Sequence, residues 1–329
     1  MYTETVSRLS GAKLNKWESF LVASDLIADS LIEKTVIVWN GDEIAATGSR
    51  YSNILKLIAV DPMYRGEDLT STVISELRRD AFNEGYRSLF LYTKPQNETV
   101  FNSLFFSTIA RTDKVVLLED KRDGIKSFIK TLPCVNISGV VGSIVMNCNP
   151  FTLGHQYLAE RAAAECDHLY IFVLSEDRST FSFDDRFEMA KLGTRHLNNV
   201  SILPTGPYLI SAATFPTYFL KERDKVVDTQ CALDIEIFTR YFVPALGINR
   251  RYVGSEPMSI LTNKYNDALK QYLPQEGVEV IEIERKTCVG EPISASRVRN
   301  LISKMNFGEL NALLPQTTID YIREKGYIK

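Results

Sequence analysis

The chain has 329 residues, room for about two domains of ordinary size, and at 45% apolar and 24% charged it has the make-up of a globular protein. That much apolar material builds two cores without disulfide staples. The net charge of −3 excludes a general nucleic-acid or anionic-membrane surface, but not a local site for a small anion.

The first predicted element is a strand, Val36-Ile37-Val38-Trp39, running into Asn40-Gly41, a tight-turn pair expected to adopt φ > 0 at both positions. A return strand through Ile44-Ala45-Ala46 follows, then a strand from Ile54 to Val60 that Asp61-Pro62 ends. Leu69, Val73, Leu77 and Ala81 recur every four residues and predict a helix with one apolar face, stopped by Gly85. Ser88 to Tyr92 reads as the next strand. Weak periodicity and turn formers between Thr131 and Gly139 mark a boundary, giving expected domains at 1–132 and 138–329.

Beyond it, strands and helices alternate. Ile144 to Met146, Leu169 to Leu174, Val200 to Leu203, Arg251 to Val253 and Val278 to Ile283 read as strands; Gly154 to Cys166 and Phe183 to Leu192 read as helices. Such alternation implies a parallel sheet with helices on both faces and ligands at the carboxyl ends of its strands. The apolar run Phe215-Pro216-Thr217-Tyr218-Phe219-Leu220 is either core or the wall of an acyl pocket.

The five cysteines are odd in number and scattered, as expected of reduced thiols in the cytoplasm. No metal site is expected, because none of the three histidines lies at a ligand spacing from a cysteine. Neither a signal segment nor a bilayer-length apolar run is visible, so no membrane association is expected.

Two segments carry chemistry. Asn147-Cys148-Asn149-Pro150-Phe151-Thr152-Leu153-Gly154-His155 runs from a strand end into a helix, and a helix N-terminus suits phosphate through its free N–H groups and dipole. Gly154 lets a ligand approach the backbone, His155 projects from the first turn, and Thr152 either caps the helix or donates to the same oxygens. A plain capped junction with an exposed histidine is the alternative. Far downstream, Ile293-Ser294-Ala295-Ser296-Arg297-Val298-Arg299 opens another helix, with Ser294 or Ser296 as cap and Val298, Leu301, Ile302 and Met305 as its buried stripe. Arginines in a first turn oppose the helix dipole unless an anion, or a nearby Glu, answers them. Arg186 is a further phosphate candidate, with a surface salt bridge as its alternative. His168 and His196 read as structural.

Thr152-Leu153-Gly154-His155 and Ile293 to Arg299 resemble the H/T-x-G-H and I-S-S-T-x-x-R signatures of the nucleotidylyltransferase superfamily. The longer string from Met146 to His155, with the N-terminal part, is similar to the [citrate (pro-3S)-lyase] ligase family over nearly the whole chain. The N-terminal part resembles GNAT acetyltransferases through Val60-Asp61-Pro62, Tyr64-Arg65-Gly66 and the helix after them. The implied fold is a Rossmann-like parallel-sheet nucleotidylyltransferase domain preceded by an α+β GNAT-like domain.

The resemblance implies a cytoplasmic ligase that activates acetate with ATP, Mg²⁺ bridging the phosphates, and acetylates the prosthetic-group thiol of the citrate lyase acyl-carrier subunit, releasing AMP and pyrophosphate. It implies catalytic roles for His155, Thr152 and Arg299, and ATP contacts from Asn147, Asn149, Phe151, Gly154, Ser294, Ser296 and Arg186. Two departures stand out. Met146-Asn147-Cys148-Asn149-Pro150 replaces the Gly-Ser-Phe-Asp-Pro of coenzyme-A adenylyltransferases, which implies a differently shaped acceptor pocket. In the GNAT-like turn, Asp68 and Thr70 stand where glycines are expected, and Glu67 and Asp68 face the place of an anion, so no acetyl-CoA turnover is expected. Docking the carrier, gripping its arm or a purely structural role remain for that domain. The alternatives for the whole chain are a coenzyme-biosynthetic adenylyltransferase acting on a phosphopantetheine-type acceptor, an N-acetyltransferase and a non-catalytic interaction module.

Overall fold

The computed structural model describes residues 1–29, 31–175, 179–209, 223–256 and 260–328. Contacts divide the chain into two compact units, Met1–Ile125 with Thr214–Leu233, and Lys126–Ala213 with Asp234–Lys329. No described helix is long and apolar enough to cross a membrane.

In the first unit the elements run β1 (Tyr2–Val6), α1 (Gly11–Ala23), β2 (Lys34–Asn40), β3 (Glu43–Tyr51), β4 (Ile54–Val60), α2 (Leu69–Asn83), β5 (Phe90–Thr93), α3 (Glu98–Ser103), β6 (Ser107–Arg111) and β7 (Val116–Glu119). They form a seven-stranded sheet in the order β1-β2-β3-β4-β5-β7-β6. Only β4 and β5 are parallel, and they pair at just Ile54↔Phe90 and Leu55↔Leu91. The expected apolar face of α2 is buried through Leu69, Val73, Ile74, Leu77 and Ala81. It lies so close to β3 that a Cβ on Gly48 would meet Val73 Cγ1 at 2.5 Å. The hairpin turn falls one residue later than the sequence suggests. Asn40 stays in the strand and pairs with Glu43, and Gly41 takes the positive φ, +60°.

A helix, α4 (Gly124–Thr131), leads into the second unit: β8 (Val141–Met146), α5 (Leu153–Ala164), β9 (His168–Val173), α6 (Phe183–Thr194), β10 (Val200–Pro204), α7 (Arg223–Ile237), α8 (Val243–Leu246), β11 (Arg250–Gly254), α9 (Ile260–Tyr272), β12 (Glu279–Ile283), the short hairpin β13 (Thr287–Cys288) and β14 (Glu291–Pro292), α10 (Ala295–Ser303) and α11 (Gln316–Glu324). A π-helical turn, Phe238–Phe242, joins α7 to α8. The five-stranded sheet is parallel throughout, in the order β10-β9-β8-β11-β12. This is the expected α/β class. Strand order reverses between β8 and β11, and doubly wound sheets bind ligands in the crevice at that reversal, beyond the carboxyl ends of the strands.

The core on one face unites Ile144 and Met146 of β8, Leu169, Ile171 and Val173 of β9, Tyr252 of β11, Ala159, Ala162 and Ala163 of α5, Met189 and Ala190 of α6, and Val298 and Leu301 of α10. Met305 does not join this stripe as expected. α10 ends at Ser303, and Met305 leaves it with a φ of +54° and is 78% exposed. Phe215–Leu220, the candidate acyl-pocket wall, lies outside the described residues.

Candidate functional site

The loop from Asn147 to Thr152 starts where β8 ends and is built from the inside by Arg186. That side chain is fully buried. Its Nη1 donates to the Asn147 carbonyl at 3.0 Å, to Asn147 Oδ1 at 2.9 Å and to the Leu174 carbonyl at 2.7 Å, while Nε donates to the Phe181 carbonyl at 3.2 Å. Carbonyls just beyond β8 and β9 are thereby clamped to the start of α6. Sequence offered Arg186 as a phosphate ligand or a surface salt bridge; its side chain is buried, with Nε and Nη1 donating to protein oxygens beneath the loop. Beside it, burial pushes the Cys148 thiol well above its usual range, which leaves it un-ionised.

Thr152 caps α5 in a reciprocal box. Its Oγ1 accepts the His155 N–H at 3.3 Å, and its own N–H donates to His155 Nδ1 at 3.0 Å. Because Nδ1 accepts, the neutral ring carries its proton on Nε2. The ring lies over Phe151, centroids 5.7 Å apart with 28° between planes. Burial first, and the Arg285 cation second, hold the imidazole down to about 4. It is therefore neutral at physiological pH, a hydrogen-bond donor through Nε2.

The helix start offers fewer free amides than its position suggests. The Leu153 N–H donates to the Leu313 carbonyl at 2.9 Å and the His155 N–H is taken by Thr152. Gly154 supplies the remaining first-turn amide. A Cβ on Gly154 would meet Thr152 Oγ1 at 3.4 Å and the Ile293 carbonyl at 3.5 Å, ordinary contact distances. The neighbour is informative: Ile293 opens the second segment, so the two signature segments lie side by side.

In that second segment, Ser294 is the cap of α10, accepting from the Ser296 N–H at 3.2 Å. The two arginines separate. Arg297 is paired with Glu291 at 3.2 Å and Glu309 at 2.7 Å. Arg299 donates instead to the Asn149 carbonyl at 2.6 Å and to Ser296 Oγ at 2.9 Å, with no carboxylate in ion-pair range among the described residues. Burial lowers its pKa, the mark of a cation held without a counter-charge.

Thr152 is 1% exposed and Phe151 is fully buried, its carbonyl held by Thr318 Oγ1 at 3.0 Å. Phe151, like Arg186, was an expected ATP contact; both side chains turn inward because the loop folds over them, and they shape the site from beneath. His155, Gly154, Ser294, Ser296, Asn147 and Asn149 lie round the loop that leaves β8. Sequence reasoning missed Arg285. It follows β12, donates through Nε to the Ser255 carbonyl at 2.7 Å and pairs with Glu256, both just past β11. Its signal was position: a cation directly after a parallel strand, at the carboxyl edge where ligands bind. His168 and His196 are structural, bonded to Ser201 Oγ at 3.1 Å and Glu160 at 3.0 Å.

A neutral donor, a glycine amide and an uncompensated guanidinium, beside the reversal point of a parallel sheet, make an arrangement suited to a polyphosphate chain. Comparison with known proteins gives the family. Residues 141–322 match the family model described as the citrate lyase ligase C-terminal domain. The [Citrate [pro-3S]-lyase] ligase of Klebsiella pneumoniae is 39% identical over 313 residues, covering 93% of this chain and 92% of that protein. That of Escherichia coli (strain K12) is 36% identical over 325 residues, covering 97% and 92%. A phosphopantetheine adenylyltransferase of Clostridium botulinum (strain 657 / Type Ba4) is 31% identical over 121 residues, 36% of this chain and 70% of that protein. With relatives matched almost end to end on top of the family model, the chain belongs to the citrate lyase ligase family.

Proposed function

We propose that the chain activates acetate with ATP and transfers the acetyl group to the prosthetic-group thiol of the citrate lyase acyl-carrier subunit. An acetate oxygen attacks the α-phosphorus in line and pyrophosphate leaves; the carrier thiol then attacks the acetyl carbonyl and AMP leaves. Adenylyl transfer of this kind needs positioning and neutralisation of developing charge more than covalent help from the protein. His155 Nε2–H and the Gly154 amide take the α-phosphate, while Arg299 and Ser296 take the β- and γ-phosphates of ATP entering as its Mg²⁺ complex. Ser294, Asn147 and Asn149 complete the rim. Thr152, Phe151 and Arg186 are positioning residues, since they act through His155 and the loop. The two exposed acids Glu67 and Asp68 at the start of α2 suit no anionic coenzyme, so acetyl-CoA turnover is assigned no part.

The observation that carries this proposal is that a neutral, Nε2-protonated His155 and a carboxylate-free Arg299 each bond the short stretch Asn149 to Thr152 that leads into α5. Pyrophosphate release with ATP tests it. Release that requires acetate, followed by AMP release that requires the carrier thiol, is expected. Release that ignores acetate but responds to a phosphopantetheine-type acceptor would replace it with coenzyme-type adenylyl transfer, the alternative that the partial similarity to phosphopantetheine adenylyltransferase favours.

A further inference from the structure

Asn147 and Asn149 carry amide groups whose orientation the protein fixes. Arg186 Nη1 donates to Asn147 Oδ1 at 2.9 Å, and Ser179 Oγ reaches the same oxygen at 3.4 Å. The Phe181 N–H donates to Asn149 Oδ1 at 3.3 Å. Guanidinium and backbone N–H groups only donate, so each amide oxygen must face them and each NH2 must face the other way. The two amides hang from one frame, because Arg186 Nε also holds the Phe181 carbonyl at 3.2 Å. Neither Nδ2 has a partner among the described residues. Asn149 is only 8% exposed, yet its Nδ2 keeps contact with solvent, so it opens on the crevice beyond β8. The backbone places it beside the phosphate site: the Asn149 carbonyl accepts from Arg299 Nη1 at 2.6 Å, and three residues further on Thr152 braces His155.

Donors of this kind suit a substrate that brings only acceptor oxygens. Asn147 to Gly154 holds no charged side chain. His155 Nδ1 is taken by the Thr152 N–H and the Cys148 thiol is buried, so the segment offers no base to strip a proton from a hydroxyl. Nor does the segment supply a cation for the double charge of a phosphate monoester. A carboxylic acid needs neither, because it arrives ionised and is already a nucleophile at neutral pH. Neutral N–H donors hold one of its oxygens and leave the other free, whereas a guanidinium fork pairs with both. A carboxylate side chain in their place would repel it. We propose that Asn149, with Asn147 beside it, holds the carboxylate of the acid to be activated. The free oxygen bonds to the α-phosphorus, the bond from that phosphorus to its bridging oxygen breaks, and pyrophosphate leaves with the electron pair; no proton moves. This rests on the adenylating function above, for it names the residues that recognise the acid substrate.

The test uses the full chain with Asn149→Ala, Asn149→Asp and Asn147→Ala. In pyrophosphate release, each alanine variant should raise the acetate KM about tenfold or more, the loss of a bond to a charged group, with little change in the ATP KM. Asn149→Asp keeps an oxygen to accept from the Phe181 N–H and should melt near the wild type, so it would rescue an asparagine that is merely structural. Its acetate KM should instead rise further than that of Asn149→Ala, because the acid is repelled. Saturation-transfer nuclear magnetic resonance, with acetate and an ATP analogue whose α–β bridge does not cleave, reads binding without turnover. The acetate methyl signal should appear with the wild type and vanish with Asn149→Ala. A methyl signal that survives Asn149→Ala, an acetate KM unchanged in either alanine variant, an ATP KM that rises as much as the acetate KM in those variants, or rescue by Asn149→Asp overturns the proposal. Acetate binding that needs Asn149 in a chain releasing no pyrophosphate would instead overturn the adenylating function and leave this site standing.

Discussion

Arg299 Nη1 donates to the carbonyl oxygen of Asn149 at 2.6 Å, although the two residues are 150 positions apart in sequence. The contact ties the start of α10 to the loop that leaves β8, and it fixes the guanidinium without neutralising it. Charge-assisted bonds to a bound phosphate contribute far more than a solvent-exposed ion pair does. Arg299→Ala should therefore raise the ATP KM about 10- to 100-fold. Arg297→Ala, which removes a cation already shared by Glu291 and Glu309, should stay within about threefold. Equal effects of the two in a steady-state pyrophosphate assay would remove Arg299 from the phosphate site.

His155 should titrate far below an ordinary histidine. Its imidazole is held near 4 in the folded chain against 6.5 for a free side chain. Above about 6.5 both folded and unfolded chains hold it neutral, so it has no effect on stability there. As pH falls from 6.5 toward 4 the unfolded chain takes up the proton first, and the native state loses stability through that window before the loss levels off. Nuclear magnetic resonance of the nucleotide-free protein should give a midpoint near 4; a midpoint near 6.5 would mean that the ring is not held as the Thr152 box requires.

Replacing His155 by Ala removes the Nε2–H donor and half of the cap at once. Removing one preorganised donor to a developing negative charge costs about 100- to 1,000-fold in rate. His155→Ala should lower kcat by that order with a much smaller change in ATP KM. Thr152→Ser is the companion, since it keeps the cap oxygen and should keep most of the rate. A variant His155→Ala with wild-type kcat removes His155 from the chemistry.

Gly154→Ala separates a folding role from a binding one. The added methyl meets protein atoms only at 3.4 Å and beyond, and alanine is the better helix former. Thermal stability should therefore hold or rise slightly. If the glycine is there so that a phosphate can approach the amide, ATP KM should rise about tenfold, the loss of one charge-assisted bond. Unchanged affinity for ATP in the alanine variant counts against the phosphate contact at this amide.

The parts of this site legible in the sequence were the local ones. A threonine cap, a glycine and a histidine within four residues announce a helix start, and Arg297 and Arg299 announce an anion or a glutamate at the next. Sequence could not say which arginine had which partner, because Glu309 and Asn149 are brought up by the fold. The burial of Arg186 was hidden for the same reason: it bonds main-chain carbonyls just beyond two strands, which carry no side-chain signal. The strands of the parallel sheet stood out as short apolar runs, whereas α7 did not, since its charged and apolar residues lack a clean helical stripe; α9 has one, at Leu261, Tyr265, Leu269 and Tyr272, and was passed over. Asn40-Gly41 misled by one position because β2 continues through Asn40 before the chain turns.

Gly193→Ala tests whether Phe151 governs His155. Gly193 lies on α6, and a Cβ there would stand 2.3 Å from Phe151 Cε1 and 2.6 Å from Cδ1. That ring is fully buried and cannot swing into solvent, so it must shift within a packed core, at a cost of about 1–3 kcal/mol. The ring supports the imidazole of His155, and its shift should carry the imidazole away from the phosphate. Gly193→Ala is thus expected to lower both melting temperature and kcat. Adding Phe151→Leu makes room for the new methyl but deletes the ring. In the double variant the clash is gone, so stability should recover toward that of Phe151→Leu alone, a positive coupling between neighbours. The rate should not recover, because the aromatic support of His155 is still missing. Recovery of both together would show that the Phe151 ring matters to packing alone.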